Sequence, residues 1–549
     1  MRLRQWLTAI RQQWQFIIYV FIGVLLRPSE LAWNRQLLFF AYFLLLFFTI
    51  NFLLRRTDNK NRTENKQTAL WGYLMLFSFI FILITRLIPF YQFGEAPLGY
   101  DTGFYLRNFY VNDSSFLSSS AYYLNLVPLH IFGLSPLHAI SFIYVISQLL
   151  IAGGLYILFR STKTKDSSAL AAIAIFLFSI SALQFYAYWW MLGQQMIATA
   201  FLLITIALLF RHPLLAIFTG AAGFLFHLPT FGLFALSFFV FSLINIVYCF
   251  ARKKEINSYL IKLFIIGACL SIIIIVFKGA LLWQYFNEYI IEHKGLYNTF
   301  PFWEIVRFKG AFLSVSTLSV TSIVLLPFTV YGLLKPSLWK LAFNTDNVSR
   351  SFIIFLYVSF FILLPLVIFP VIYQQRFMII LDLFIIIFAT PVLYLLISRF
   401  ANDKIIKIIM FLFLACAFYN VGAMAWKKQP QIPPEELQEI KSLSMTAESD
   451  AFIIATNSFY TPWIYGFGGR KSYGPGWGPD PWGYDSWMEF WRGSDEEAKM
   501  EMINSTFASP TYFFIGAKQQ QGFPFQIFIE KNEKFINISP HVWKFTPSL

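Results

Sequence analysis

One aspartate lies where a carboxylate could take part in group transfer. Asp101 is in the segment PLGYDTGFYLRN, residues 97–108, which follows a long apolar run. A carboxylate in such a polar segment can act as a general base, or as an orienting acceptor, for a hydroxyl that attacks a sugar anomeric carbon. It can also cap a helix by accepting the backbone N–H of Gly103 or Phe104. The two roles are compatible, and the sequence leaves both open.

Two basic residues lie near the ends of predicted apolar spans, where each could meet an anion. Arg376, in YQQRF at residues 373–377, begins a predicted helix, where a cation opposes the helix macrodipole. Phosphate is a natural partner, because guanidinium forms two parallel hydrogen bonds to it and stabilises charge on a departing phosphate. An interfacial anchor or an ion pair is the alternative. His227, two residues before Pro229, is expected either to cap a broken helix or to contact the same phosphate.

Acidic residues indicate two further candidate sites, one at a pair of glutamates and one at a single aspartate. Glu288 and Glu292 are four apart, so on a helix they share one face, and His293 is adjacent. Their repulsion would be offset by a divalent cation such as Mg²⁺ or Mn²⁺, or by solvent on an exposed face. No other cofactor is indicated. Asp382 lies deep in a predicted span, where a hydrogen-bonded structural role and a functional role are equally compatible with the sequence.

Other candidate substrate contacts lie outside the predicted spans. Arg107 can pair with Asp101 or Asp113, or contact a ligand. The segment 473–492 is rich in tryptophan, glycine and proline, which favours a rigid aromatic surface for a sugar ring. The alternative is that these rings pack the domain onto lipid or onto the membrane core. The candidate substrate-binding residues are Arg107, Arg470, Tyr473, Trp477 and Trp482.

Membrane spans are the elements that must position these residues. Of 549 residues, 58% are hydrophobic and only 13% are charged, and the mean hydropathy is +0.61. This composition excludes a soluble globular domain. A hydrocarbon core about 30 Å thick needs about 20 apolar residues per helix. Such runs predict an all-α polytopic domain of about thirteen spans, near 14–33, 36–54, 68–90, 136–159, 168–190, 195–210, 214–228, 229–250, 258–280, 311–333, 351–371, 377–398 and 405–425.

Two of these assignments have alternatives. The first run is short and flanked by Arg11 and Arg27, so it can instead lie flat in the membrane interface. Residues 214–250 contain Pro229, which would break one long helix into two short spans or a re-entrant pair.

Basic residues set the predicted orientation. The net charge is +14, with twenty-one lysines and arginines in the loops of one side of the spans and seven in those of the other. The positive-inside rule therefore predicts a cytoplasmic N-terminus and an external tail. The same distribution accounts for the net charge without a nucleic-acid partner, and membrane lipids are the expected surroundings.

The composition changes abruptly after residue 425. A proline-started helix is predicted from Pro433-Pro434, with acids in its first turn. Strands are predicted at 451–455, 512–516 and 525–529, which are short apolar runs between turn residues. We therefore expect a membrane domain of residues 1–425, with external loops at 91–135 and 281–310, and a small extracytoplasmic α/β domain of residues 426–549.

The order of these motifs resembles the GT-C superfamily of polytopic glycosyltransferases, which includes oligosaccharyltransferase catalytic subunits and lipid-linked sugar transferases. The resemblance places the family's acid on Asp101 and its donor-phosphate arginine on Arg376. It extends to YTPWIYGFGGR, residues 460–470, at the head of the tail domain. The family's Asp-x-Asp of the second external loop has no counterpart in the turn at 191–194.

The resemblance implies an enzyme that moves a hexose or pentose from a polyprenyl-phosphate donor to a glycan, lipid or protein acceptor. The reaction would take place with inversion at the extracytoplasmic face of the plasma membrane, in cell-envelope glycan biosynthesis. The alternatives are a lipid-linked glycan flippase or exporter, an O-antigen-type ligase or polymerase, and a glycan receptor without enzymatic activity.

Overall fold

A computed structural model gives the fold of much of the chain. It describes residues 67–94, 99, 102–110, 127–162, 164, 166–190, 192–251, 265, 279, 283, 320–335, 338–339, 347–368, 374–400, 404–468, 471–475, 482–507, 509–519 and 524–546. The helices before the tail are α1 Gln67–Phe93, α2 Thr102–Tyr110, α3 Pro136–Arg160, α4 Ser167–Ser179, α5 Ala182–Trp189, α6 Gly193–Leu209, α7 Pro213–Phe226, α8 Leu228–Ala251, α9 Val320–Leu334, α10 Asn347–Ile368, α11 Gln374–Phe400 and α12 Lys404–Lys427.

The chain divides into two compact units. The first, which we call the helical unit, comprises Met1–Thr85, Ser147–Ala187 and Gln194–Ala425. The second, which we call the tail unit, comprises Arg86–Ile146, Tyr188–Gly193 and Trp426–Leu549. The tail unit thus includes segments of two predicted external loops as well as the tail itself. The predicted domain boundary after residue 425 stays a prediction.

Long apolar helices make the chain an integral membrane protein. Within the described residues, five helices are long and apolar enough to cross a membrane, or up to six if a bent pair counts as one span. Three shorter apolar helices accompany them. The predicted spans 14–33 and 36–54, and most of 258–280, lie outside the described residues, so the predicted number of thirteen stays a prediction.

The bent pair replaces the single span predicted at 168–190. Helices α4 and α5 meet at an angle of 58°. Ser181 begins the second helix, because its hydroxyl accepts the backbone N–H of Gln184 over 3.3 Å. A serine in this role stops one helix and starts another inside an apolar run.

The region 214–250 also forms two helices. α7 ends at Phe226 and α8 begins at Leu228, with His227 in an extended conformation (φ −152°, ψ 102°) between them. Pro229 is the second residue of α8, where its missing N–H costs no helical hydrogen bond. The two-helix interpretation of Pro229 is therefore confirmed.

The tail contains one five-stranded sheet. Its helices and strands are α13 Pro434–Thr446, β1 Phe452–Ala455, α14 Thr461–Gly468, β2 Ser472–Tyr473, α15 Tyr484–Arg492, α16 Glu496–Thr506, β3 Thr511–Phe514, α17 Pro524–Lys531, β4 Phe535–Ser539 and β5 Val542–Phe545. The strand order is β2-β1-β3-β5-β4. β1 is parallel to β2 and β3, whereas β5 is antiparallel to β3 and β4.

Two of the three strands predicted in the tail are present, and the third is wrong. β1 and β3 lie within one residue of the predicted starts, but the predicted strand 525–529 is helix α17. Phe525, Phe528 and Ile529 are its buried residues, and their spacing of three and four is helical. A five-residue apolar run does not distinguish the two periods, and Pro524 favours a helix start.

The first tail helix begins where the paired prolines predict. Pro434 is the first residue of α13, and Glu435 and Glu436 are in its first turn. Glu436 is buried and accepts the backbone N–H of Ala517 over 2.6 Å. Glu439 accepts the backbone N–H of His541 over 3.0 Å. Burial alone would raise the pKa of Glu439, but its hydrogen bonds to Ser539 and His541 lower the pKa below its usual value. The two acids thus attach α13 to the sheet.

Two glycines allow α2 to approach α14 within the tail unit. A Cβ on Gly103 would lie 2.3 Å from the carbonyl carbon and oxygen of Pro462. A Cβ on Gly466 would lie 2.3 Å from the carbonyl oxygen of Gly103. Real Cβ atoms do not approach backbone this closely, so any side chain at either position would push the two helices apart.

We expect Gly103→Ala to destabilise the tail unit by about 1–3 kcal/mol through overpacking. Thermal unfolding of the purified full-length protein, followed by tryptophan fluorescence, measures the loss. Gly153→Ala is the matched control, because Gly153 is also helical and nothing lies within 4 Å of its Cβ position. Equal melting temperatures for Gly103→Ala and Gly153→Ala would contradict the packing described.

An ion pair joins the segment after α13 to the sheet and generates a pH prediction. Lys544 donates to Glu448 over 2.5 Å, and the Tyr512 hydroxyl donates to it over 2.7 Å. These bonds lower the pKa of Glu448 from 4.5 to about 2, and the bond from Lys544 has the largest effect. Because the folded pKa is the lower one, the carboxylate stabilises the fold above about pH 4.5, and this contribution disappears as the pH falls towards 2.

Glu448→Gln should therefore lower stability at pH 7 but cost progressively less below pH 4.5. The Glu448 side chain is 41% exposed, so the effect at pH 7 is below about 1 kcal/mol. Melting temperatures of the wild type and the variant, measured between pH 3 and pH 7, check this. A difference that does not change with pH would contradict the role of the charge.

Candidate functional site

Arg376 and His227 meet inside the helical unit. Arg376 is the third residue of α11, and His227 is the residue between α7 and α8. Arg376 Nη1 lies 3.5 Å from His227 Nε2. The two residues that the sequence assigns to one phosphate are thus in contact, although they are 149 positions apart.

Both ring nitrogens of His227 have hydrogen-bonding neighbours. The backbone N–H of Thr230 points to Nδ1 over 3.3 Å, and the Thr230 hydroxyl lies 2.8 Å from the same nitrogen. Nδ1 can donate to the Thr230 hydroxyl and leave Nε2 to accept from Arg376, or it can accept from Thr230 and leave the proton on Nε2; the tautomer decides between the two. In the Nε2–H tautomer, His227 and the Arg376 guanidinium are both donors.

In this tautomer the two groups cannot hydrogen-bond to each other. His227 is 7% exposed, so bulk water has little access to its ring. An oxyanion placed between the two groups would accept from both, and charge-assisted hydrogen bonds of this kind are about twice as strong as neutral ones. The pair therefore has the chemistry of a phosphate site. His227 also has the capping role, because Nδ1 accepts from the first turn of α8.

A buried polar network lies along α11 from Arg376. The Gln195 side chain, at the start of α6, donates to the Arg376 carbonyl over 2.6 Å. One and a half turns further on, Asp382 accepts from Ser181 over 2.7 Å and from Gln184 over 3.0 Å. Gln184 also donates to the Ile379 carbonyl over 2.9 Å. Asp382 thus has hydrogen-bonded partners at the junction of α4 and α5, in agreement with the structural interpretation of this acid.

These contacts join three places that the charge pattern assigns to one side of the membrane. The turn at 191–194, the break at His227 and the start of α11 were each predicted to be external from the loops that flank them. Gln195 contacts Arg376, and Arg376 contacts His227. The three helix ends therefore lie at the same end of the helical unit.

Asp101 lies outside the described residues, and the helix next to it belongs to the tail unit. α2 begins at Thr102, whose side chain is fully buried. Arg107, on the same helix, is 9% exposed. Its guanidinium carbon lies 3.6 Å from the centre of the Tyr465 ring. This cation–π contact is a partner that the sequence analysis did not consider for Arg107.

The remaining substrate-binding candidates lie in the tail unit or outside the described residues. Trp482 is 6% exposed, and its indole N–H donates to Thr506 over 2.9 Å. Trp487 packs against it. Tyr473 is half-buried on β2, against Phe452. Trp482 therefore packs the interior of the domain, whereas Trp477 and Arg470 lie outside the described residues.

The proposed metal ligands cannot be placed. Glu288 and Glu292 lie outside the described residues. Within the described part of the chain, no group of three or more histidine, cysteine, aspartate or glutamate side chains could hold a metal ion. The prediction of Mg²⁺ or Mn²⁺ at Glu288 and Glu292 stays a prediction.

Sequence reasoning did not select the polar residues that contact Arg376, His227 and Asp382. These residues occur among apolar ones, and each contacts a candidate residue or its backbone: Gln195 contacts Arg376, Thr230 contacts His227, and Ser181 and Gln184 contact Asp382. The available signal was their polarity within apolar spans. For Thr230, the spacing of three from His227 was a second signal, because such residues share a helical turn.

Comparison with known proteins supports the fold. No family model matches the sequence, and no curated protein matches it. The crystal structure of ArnT from Cupriavidus metallidurans in the apo state is similar, with a TM-score of 0.50 and 10% sequence identity over 87% of this chain and 98% of that chain.

Two further solved structures are somewhat less similar. ArnT from the same organism bound to undecaprenyl phosphate has a TM-score of 0.49, 11% identity and coverage of 87% of this chain and 98% of that chain. The oligosaccharyltransferase AglB from Archaeoglobus fulgidus, in complex with an inhibitory peptide and a dolichol-phosphate, has a TM-score of 0.47 and 14% identity. The match covers 86% of this chain and 74% of the AglB chain. The likeness to the apo ArnT structure is one of fold.

Proposed function

We propose that the chain is a glycosyltransferase that moves a sugar from a polyprenyl-phosphate donor to an acceptor hydroxyl or amide. The observation that carries the proposal is the contact of Arg376 with His227 at the end of a bundle of apolar helices, where the Nε2–H tautomer of the histidine gives two converging donors. A lipid phosphate fits such a site because its isoprenoid chain can stay in hydrocarbon while its phosphate meets donors at the membrane edge.

The proposed reaction is a direct displacement at the anomeric carbon. Asp101 accepts the proton of the acceptor group, whose oxygen or nitrogen forms the new glycosidic bond. The bond between the anomeric carbon and the phosphate oxygen breaks, and its electron pair stays on the polyprenyl phosphate. Arg376 and His227 stabilise the negative charge that develops there. One attacking group and one leaving group on opposite faces give inversion of configuration.

The proposed orientation in the membrane follows from the charges of the loops. The reaction takes place at the extracytoplasmic face of the plasma membrane, with the N-terminus in the cytoplasm and residues 426–549 outside. Arg107, Arg470, Tyr473 and Trp477 remain proposed substrate contacts. A divalent metal ion at Glu288 and Glu292 also remains a proposal.

The phosphate site is tested by binding. Arg376→Met should weaken undecaprenyl phosphate binding roughly 10- to 100-fold, because a hydrogen bond to a charged group contributes about 1.5–3 kcal/mol. His227→Leu should weaken it roughly tenfold, whereas His227→Gln, whose amide N–H replaces Nε2–H, should weaken it less. Titration of the detergent-solubilised full-length protein measures the dissociation constants. Wild-type affinity in both Arg376→Met and His227→Leu would refute the site.

The catalytic base is tested by turnover. Asp101→Asn preserves size and removes the proton acceptor, so sugar transfer should fall by roughly 10²–10⁴-fold while undecaprenyl phosphate binding is unchanged. Mass spectrometry of lipid-linked sugars in membranes from cells without the protein, with the wild type or with the variant measures the effect. Accumulation of one polyprenyl-phosphate sugar in the first and third membranes is expected, and a variant that matches the wild type would remove Asp101 from the mechanism.

A further inference from the structure

The first two turns of α11 receive hydrogen bonds from another part of the helical unit. Gln195 Nε2 donates to the Arg376 carbonyl over 2.6 Å, and Gln184 Nε2 donates to the Ile379 carbonyl over 2.9 Å. A carbonyl has two lone pairs, so it can accept these bonds in addition to its helical one. Arg376 and Ile379 are three residues apart and share one face of α11. We call Gln184 and Gln195 the glutamine clamp.

The clamp is shielded from water. Gln184 and Gln195 are 0% and 2% exposed. Among the described residues, neither side-chain oxygen has a hydrogen-bond partner, so both amides are held through their N–H groups alone. Water cannot readily replace bonds at this depth, and a buried N–H without a partner is unfavourable. Each glutamine is therefore tied to one position on the α11 backbone.

Asp382 fixes the orientation of one of the two amides. Gln184 Nε2 has two N–H groups, and it bonds to the Ile379 carbonyl and to Asp382 Oδ2. Ser181, which begins α5, donates to the same carboxylate oxygen over 2.7 Å. The start of α5 is thus attached to the backbone and to a side chain of α11. The bent junction of α4 and α5 and the start of α6 together hold the segment that carries Arg376.

We infer that the glutamine clamp positions Arg376 opposite His227 for the phosphate, an inference that rests on the proposed function. His227 is fixed independently, because Thr230 holds its Nδ1. The distance between the two donors therefore depends on where α11 begins. Hydrogen bonds weaken steeply with poor alignment, so an α11 that moves freely would lose the joint contact with one phosphate. Gln184 and Gln195 are positioning residues, and neither is proposed to touch the substrate.

A double-mutant cycle tests this inference. Gln195→Met keeps the length and volume of the side chain but removes the donor, and it should weaken undecaprenyl phosphate binding roughly tenfold, equivalent to loss of one good hydrogen bond at the phosphate. Arg376→Met gives the second side of the cycle. If Gln195 acts through Arg376, the double variant should bind no more weakly than Arg376→Met alone, because coupled residues are not additive.

The chain offers a matched control. The Thr329 hydroxyl also donates to a carbonyl of α11, that of Ile385, over 2.9 Å, and Thr329 is fully buried. Thr329→Val removes this bond more than two turns from Arg376, and it should leave binding within about twofold of the wild type. If Gln195→Met does not fold, Gln184→Met takes its place, with an expected loss of roughly threefold.

The outcomes separate the inference from the proposed function. A wild-type protein that does not bind undecaprenyl phosphate or dolichyl phosphate would overturn both. Loss of binding in Arg376→Met together with wild-type affinity in Gln195→Met and Gln184→Met would overturn the positioning role and leave the phosphate site intact. Additive losses in the double variant, or an equal loss in Thr329→Val, would also overturn it, because the effect would then be general loosening of α11.

Discussion

Arg376 and His227 meet inside the helical unit, and in the Nε2–H tautomer of the histidine both are hydrogen-bond donors. The backbone N–H of Thr230 points to Nδ1 of His227, and this contact favours a proton on Nε2. Each of the two side chains is held by its own helix: His227 by the first turn of α8, and Arg376 by the start of α11. The break between α7 and α8 is therefore a requirement of the site, since an unbroken helix would not present the His227 ring in this way.

The helix break could be predicted from sequence, and Arg376 and His227 could be selected as candidates, because their signals are local. Proline is tolerated in the first turn of a helix but not in its interior, so Pro229 indicates that a new helix begins just before it. Arg376 stands out because it opposes both the helix macrodipole and the charge bias of external loops. The same local reasoning failed at residues 525–529. Five apolar residues fit a strand or a buried helix equally well, and only the packing of Phe525 and Phe528 in the tail core decides between them.

The other contacts of the site depend on residues distant in sequence. Gln195 and Arg376 are 181 positions apart, and Ser181 and Asp382 are 201 apart. A glutamine in an apolar span indicates that some partner exists, because an unpaired amide is unfavourable in a dry interior. It does not indicate which carbonyl that partner is. Arg107 is a similar case: the sequence offered acidic partners or a ligand, and the structure adds the face of Tyr465, which no local pattern indicates.

The close contact between Gly103 and Gly466 also constrains biosynthesis. The ribosome must add the residues from 103 to 466 before the partner of α2 exists, which takes roughly 20–70 s at rates of about 5–20 residues per second. During this interval most of the apolar helices are synthesised, while the surface of α2 that later meets α14 has no native partner. A chain that ends before residue 461 can therefore insert its earlier helices but never completes the tail unit, and it would present quality-control proteases with an unfinished surface.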